Sequence, residues 1–365
     1  MGALKDLYSP AFYDNFSNSL SAILPSFSKK EFIKKIYTED FNNKELKERM
    51  KHTTKVLYDF LPADFSKAAI LIPAIITELK KNNTSGRLEF IFFPDYVETY
   101  GINDFESSIK AIEFITHFVS CEFAVRPFIV QYGDKMIDQM KNWSLHKSED
   151  VRRLASEGCR PRLPWGMGLA TLKKDPAPIL PILENLKNDP SEYVRRSVAN
   201  NLNDIAKDNP ELVLKIAASW KGKSKETDAI IKHGSRTLLK QGHTEILKHF
   251  GLDSTHIQLT SFKIENPVIK IGESVAFSFT ICNNFPGQQT VRLEYGVYYK
   301  TQKGQSARKV FKISERIYQP KQKETIHRKQ KFTIITTRKF YVGEHQLSII
   351  VNGQESKKAT FELLP

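Results

Sequence analysis

Val151 to Trp165 reads V-R-R-L-A-S-E-G-C-R-P-R-L-P-W, and the opening of this stretch returns 43 residues later. Its fifteen residues hold four arginines, one glutamate and one tryptophan. On a helix, Val151, Leu154, Ala155 and Gly158 form a narrow apolar stripe that can face a core. Arg153, Glu157 and Arg160 then fall at i, i+4 and i+7, which sets a carboxylate between two guanidinium groups on another face. Gly158 and Pro161 end the helix, so Arg160, Arg162 and Trp165 are expected to project from its C-terminal end and the turn beyond. Taken alone, such a ladder is explained as well by a surface ion-pair network as by a functional site.

The recurrence decides the architecture. Ser148-Glu149-Asp150-Val151-Arg152-Arg153 matches Ser191-Glu192-Tyr193-Val194-Arg195-Arg196, and a weaker third copy starts near Thr227 and leads into Ser235 to Lys240. A period near 40 residues with two helices per unit is the signature of a HEAT-like solenoid, because one helix pair cannot bury its own apolar face. From Leu4 to about Phe250, apolar residues recur at three- and four-residue spacings, as in Phe32, Ile33, Ile36 and Tyr37. Breaks are expected at Pro25, Pro62, Pro94, Pro127, Pro161, Pro164, Pro176, Pro190 and Pro210. Start signals stand at Asn103-Asp104, Asp175-Pro176, Asp189-Pro190-Ser191 and Asp208-Asn209-Pro210. Stacked pairs curve, leaving a concave wall lined by one helix of each pair.

After Gly251 to Thr255 the period changes to alternation. Strands are expected at His256 to Phe262, Val275 to Ile281, Val291 to Tyr295, Lys331 to Ile335, Gln346 to Val351 and Ala359 to Leu363. Some seven strands in about 110 residues describe an immunoglobulin-like β-sandwich without paired cysteines. The reading is therefore a multidomain chain: an all-α HEAT-like solenoid over 1–250, a linker at 251–255, and an all-β immunoglobulin-like sandwich over 256–365.

Charge divides unevenly between these parts. The chain of 365 residues carries a net +14, and Ser254 to Pro365 alone holds 18 Lys and Arg against 8 Glu, a net +10. The clusters lie in Lys300 to Lys312 and Lys321 to Lys339, expected on loops and edges. Such a segment points to a polyanion or an anionic surface as partner. The apolar run Ala68 to Thr77 is too short to span a bilayer. Cys121, Cys159 and Cys282, odd in number and far apart, fit a reducing compartment without a disulfide framework, so a cytoplasmic location is expected. No membrane partner and a monomeric state are expected as well. There is no phosphate-cradling G-x-x-x-x-G-K-S/T loop, no G-x-G-x-x-G, no H-E-x-x-H and no C-x-x-C. His243-Thr244-Glu245 has the H-x-E of a zinc deaminase without its cysteine partner. No metal and no cofactor is expected.

What remains is carboxylates beside arginines. In the second copy Val194, Val198, Leu202 and Ile205 form the buried stripe, and Arg196, Asn200, Asn203 and Asp204 share the opposite, open face. Glu122 stands at the start of a helix, where the dipole keeps it ionised. For Glu122, Glu157 and Asp204 the plain alternative is a cap or an ion pair, and Trp165 on a post-helix turn is first of all expected in a core.

At these residues the chain resembles the AlkC-type DNA alkylation-repair glycosylases of the HEAT-like repeat superfamily. The matching segments are Glu45-Leu-Lys-Glu-Arg49, Glu122-Phe-Ala-Val-Arg-Pro-Phe128, Val151 through Trp165, and Pro190 to Asn200 with Leu202-Asn-Asp204. They span nearly all of residues 1 to 250, and the tail is similar to the immunoglobulin-like domain that some members carry. Asn201 departs from the histidine of many members. The resemblance implies hydrolysis of the N-glycosidic bond of cationic alkylated bases, 3-methyladenine and 3-methylcytosine, in duplex DNA without full base flipping. It assigns Glu122 and Asp204 as catalytic carboxylates, with Asp204 positioning water, and Glu157 and Trp165 as residues that shape the site against lesion and sugar. Arg153, Arg160, Arg162 and Arg196 are left with two roles, contacting DNA phosphates or orienting the acids. The basic tail is expected to grip the backbone at the minor groove. Two other classes fit the residues: a DNA-binding or damage-sensing scaffold without turnover, and a protein-interaction solenoid whose tail meets an acidic partner.

Overall fold

The structure, a computed structural model, describes residues 3–333 and 339–365. Two compact units emerge, Met1–Val213 with Ser219–Gly234 and Leu214–Ala218 with Ser235–Pro365. The helices begin with α1 (Pro10–Ile23), α2 (Lys29–Ile36), α3 (Leu46–Tyr58), α4 (Phe65–Lys81), α5 (Phe92–Tyr100) and α6 (Phe105–Thr116). There follow α7 (Val125–Tyr132), α8 (Asp134–Trp143), α9 (Glu149–Gly158), α10 (Ala170–Lys174), α11 (Leu180–Leu186) and α12 (Glu192–Ile205). The last four are α13 (Pro210–Trp220), α14 (Lys225–Gly234), α15 (Arg236–Gln241) and α16 (Thr244–His249).

At the Asn103-Asp104 and Asp189-Pro190-Ser191 start signals the aspartate accepts from a backbone N–H of the coming turn. Asp104 caps α6 by accepting from Ser107 N at 3.1 Å, and Asp189 accepts from Ser191 N at 2.9 Å ahead of α12. Two expected breaks are not breaks. Pro94 and Pro127 sit in the first turns of α5 and α7, where a missing N–H leaves no hydrogen bond unmade.

Helices of successive repeats pack side by side, α12 lying between α9 and α14. The fully buried Val151, Leu154, Val194 and Val198 supply that seam. The repeated arginines explain why the motif recurs. Arg152 Nη1 donates to His146 O and Lys147 O, both at 2.9 Å, and Arg195 Nη1 donates to Asp189 O at 2.6 Å and Pro190 O at 2.8 Å. In each copy the first arginine of the pair ties the helix to the loop five and six residues behind it. Trp143 and Trp220, both buried, donate Nε1–H to Glu113 and Glu184, each at 2.8 Å, so each indole is fixed at its polar end.

In the second unit, β1 (Ile257–Ile264), β3 (Ser274–Asn283) and β6 (Lys323–Lys331) form one sheet in the order β1-β3-β6. The other sheet orders β2 (Val268–Lys270), β9 (Ala359–Leu364), β7 (Gly343–Val351), β4 (Gln289–Lys300) and β5 (Ser306–Tyr318), with β8 (Gln354–Glu355) pairing β7. Val275, Phe277, Phe279, Ile281, Leu293, Val297, Leu347, Ile349 and Phe361 fill the space between the sheets. This is an immunoglobulin-like sandwich. The basic clusters expected on loops and edges lie largely on β5 and β6, one edge strand of each sheet. Of the strand expected at Lys331 to Ile335, Lys331 ends β6, and Ile334 and Ile335 lie outside the described residues. This unit also takes in α15 and α16, because Gly242 and Gly353 meet closely: a Cβ on Gly242 would stand 2.9 Å from Gly353 O.

Candidate active site

The helical unit assembles a chain of alternating charges along α9 and α12. Glu122, in the turn before α7, meets Arg153 and the Ser120 hydroxyl. Arg153 Nη2 stands 3.6 Å from Glu157 Oε1, and Arg160 Nη1 donates to the same oxygen at 2.6 Å. Arg160 Nε donates to Asp204 Oδ2 at 2.9 Å, and Lys207 Nζ closes the chain on Asp204 Oδ1 at 3.0 Å. Glu157 Oε2 accepts from the Ser197 hydroxyl at 2.7 Å. Burial works against the Arg153 and Arg160 charges, but the neighbouring acids outweigh it and hold both guanidinium groups above their ordinary pKa.

Exposure falls along the acids from Glu122 to Asp204 and rises again at Lys207. Glu122 keeps 17% of its side chain open, whereas Asp204 keeps 2%. The open-face position expected for Asp204 is therefore not where it sits. Ser197, Asn201 and Asp204, at i, i+4 and i+7, line a seam against α9, bonding respectively to Glu157, Ser156 O and Arg160. The apolar stripe of α12 is widened by three polar residues, each matched by a partner on α9 or at its end. Asn201 is fully buried, and its Nδ2 donates to Ser156 O at 2.8 Å. Glu122 lies three residues ahead of α7, and its carboxylate accepts from Arg153 and Ser120.

Trp165 is no core residue. It keeps 62% of its surface exposed and adopts φ +66°, a left-handed conformation that costs an aromatic residue on the order of 1 kcal/mol and so marks a constrained turn. A residue that the sequence reading quoted without a role holds that turn. Arg126 is fully buried; its Nε donates to Met167 O at 2.6 Å and its Nη1 to Gly158 O at 2.8 Å, clasping the Trp165 turn to the end of α9. Burial pushes its pKa down to about 10. A lone arginine in the apolar run Ala124 to Phe128 was the available signal, since a buried charge must be partnered.

The four arginines separate by role. Arg153 and Arg160 lie among the acids with their donors engaged, and Arg153 also stacks on the Tyr193 ring at 4.9 Å. Arg162 makes a two-point pair with Asp208 at 2.9 and 2.6 Å, and Arg196, with 63% of its side chain open, meets Glu192. Lys207, Ser120, Ser197 and Tyr193 complete the cluster. Lys207 was legible at i+3 from Asp204 and Ser120 at two residues before Glu122, whereas the cross-helix pairs carried no local signal. Among the described residues no group of three or more His, Cys, Asp or Glu is placed to hold a metal, and no helix is long and apolar enough to cross a membrane.

Fold and site together define a HEAT-like repeat protein with an acid–arginine network on its repeats and an immunoglobulin-like module. The family model for DNA alkylation repair enzyme matches residues 92–236, and that for the C-terminal Ig-like domain of the uncharacterised protein YhaZ matches 258–365. The uncharacterized protein YhaZ of Bacillus subtilis (strain 168) is 43% identical over 364 residues, covering 100% of both chains. The solved structure of Pseudomonas fluorescens alkylpurine DNA glycosylase AlkC, bound to DNA containing an abasic site analog, matches with TM-score 0.93 and 35% identity over 100% of both chains. The chain belongs to the DNA alkylation repair enzyme family.

Proposed function

We propose that this protein is a DNA glycosylase that removes cationic N-alkylated bases, 3-methyladenine and 3-methylcytosine, by hydrolysing the bond between base and deoxyribose. The observation that carries the reading is the ladder from Glu122 to Lys207 beside the exposed Trp165, in a chain similar over its full length to an alkylpurine glycosylase. An alkylated base already bears positive charge and needs no strong acid to depart. As it leaves, positive charge builds on the sugar, and carboxylates held in place stabilise it without reorganising. Arg153 and Arg160 fix the acids in position, Glu122 stands at the open end where sugar and water arrive, and Asp204 anchors the closed end. Trp165 offers an aromatic face to a cation. The chemistry suits a surface rather than a deep pocket, which favours a base that is not fully flipped.

The basic unit is assigned to the DNA backbone. Lys300, Lys303, Arg308, Lys309 and Lys339, with Tyr299 and Phe340, border a cleft of about 700 Å³ at the β4–β5 turn, combining charge and rings as nucleic-acid surfaces do.

A second reading, a DNA-binding scaffold without turnover, draws on one observation: Asp204 is saturated by Arg160 and Lys207. Measuring free bases released from methylated duplex DNA separates the two. Glu122→Gln and Asp204→Asn are each expected to lower release by roughly 100- to 1,000-fold while DNA affinity is kept. Release by neither the wild type nor the variants, with DNA still bound, would establish the scaffold.

A further inference from the structure

The helical unit holds a cavity of about 200 Å³ between α3, α5 and the turn that leads into α7. Met50, Pro94, Phe123, Pro127 and Trp165 supply its apolar and aromatic walls. The buried Asp95 forms its floor, bonded to Thr54 at 2.6 Å, with the half-buried Glu98 one turn further along α5. Lys47 and Lys51 stand exposed at its mouth. The cavity adjoins the ladder, because Phe123 follows Glu122 in the chain and Trp165 belongs to the turn clasped by Arg126.

Size and chemistry narrow the occupant. The volume falls below the roughly 300–1,000 Å³ that drug-sized ligands fill, which suits one flat ring system. Aromatic and proline walls favour a planar face. Glu98 has no hydrogen-bonding partner among the described residues. Burial and then the Asp95 charge push its pKa up to about 7 against the pull of Lys51 and Lys47. Near neutrality it therefore offers one O–H donor and one acceptor, the pattern that a base edge matches. Glycosidic cleavage leaves the bonding electron pair on the base, turning a cation into a neutral ring, while water adds its hydroxyl to the sugar C1′ and yields its proton. The Met50, Phe123 and proline walls suit the neutral ring that cleavage leaves.

We propose that this cavity takes a single nucleobase, the neutral alkylated base set free at the adjacent ladder. The inference rests on the glycosylase reading, and its test is read separately from base release. Equilibrium dialysis of the full chain with free 3-methyladenine is expected to show saturable binding, weakened about tenfold or more in Glu98→Ala. Glu98→Gln keeps a donor and an acceptor, so it is expected to bind but to lose the weakening that the wild type shows between ~pH 6 and ~pH 8 as Glu98 ionises. Met50→Trp, which fills the slot, is expected to bind no free base. A duplex with 2-aminopurine at the lesion position distinguishes the two sources of a base. A fluorescence rise that Met50→Trp abolishes shows entry while still attached; no rise, with free base bound, shows entry after release. Base release from methylated DNA without any binding of free 3-methyladenine, or binding that Glu98→Ala and Met50→Trp leave unchanged, overturns the cavity's role and leaves the glycosylase standing. Free-base binding without base release from DNA removes the product assignment along with the glycosylase.

Discussion

At the scale of single residues, Arg160 is the keystone of the ladder. It is 6% exposed and neutralises both Glu157 and Asp204. Arg160→Ala leaves two buried carboxylates short of their counter-charge and is expected to cost ~3–5 kcal/mol, read by denaturant unfolding. Trp165→Ala should behave in the opposite way. Most of its surface is open to solvent although it borders the α3–α5 cavity, so stability is expected to change by no more than ~0.5 kcal/mol, while release of 3-methyladenine falls; unchanged release would detach Trp165 from the chemistry. Glu157 between its two arginines was legible in the spacing of one helix, because i, i+3 and i+4 neighbours meet whatever surrounds them. The burial of Asp204 was not. Its partner Arg160 lies 44 positions away, and nothing local to α12 distinguishes a carboxylate facing solvent from one facing a guanidinium on the next helix.

Among the elements, α5 and α9 carry opposite lessons about what a helix position tolerates. Glu98 on α5 has its pKa raised from an ordinary 4.5 to about 7, with Asp95 on the same helix and Lys47 and Lys51 on α3 facing it. The folded state thus holds this proton more tightly than the unfolded chain, so Glu98 favours folding most below about 4.5, and that advantage is lost as the pH rises through about 7. Glu98→Gln is expected to match the wild type in thermal unfolding at ~pH 5 and to exceed it at ~pH 8. On α9, Gly158→Ala would raise helix propensity yet set a Cβ 2.4 Å from Val125 Cγ2. A loss of about 1–3 kcal/mol is expected, since overpacking outweighs propensity. Helix existence was readable from the apolar spacing almost throughout. The strands β5 and β6 were obscured by their own lysines and arginines, for an edge strand exposes residues that a central strand would bury, and charge there also discourages pairing with other chains.

On the scale of the whole molecule, charge separates by unit. Segment 254–365 carries a net +10 of the total +14. Lys303→Glu with Lys339→Glu, both at exposed positions, is expected to weaken duplex binding at low salt and flatten its salt dependence while leaving the fold intact. An unaltered salt slope would take the β4–β5 cleft out of the DNA interface. The acid–arginine ladder, by contrast, has three acids, Glu122, Glu157 and Asp204, matched by Arg153, Arg160 and Lys207. A string of alternating charges has a field that cancels within a few ångströms and is screened beyond about 10 Å in ordinary salt. Such an array is silent to a distant polyanion and acts only on atoms laid against it. On the proposed reading, finding DNA and judging a base are separable tasks: changes to the sandwich charges are expected to alter how fast and how tightly any duplex is held, and changes to the ladder to alter which base is lost once it is.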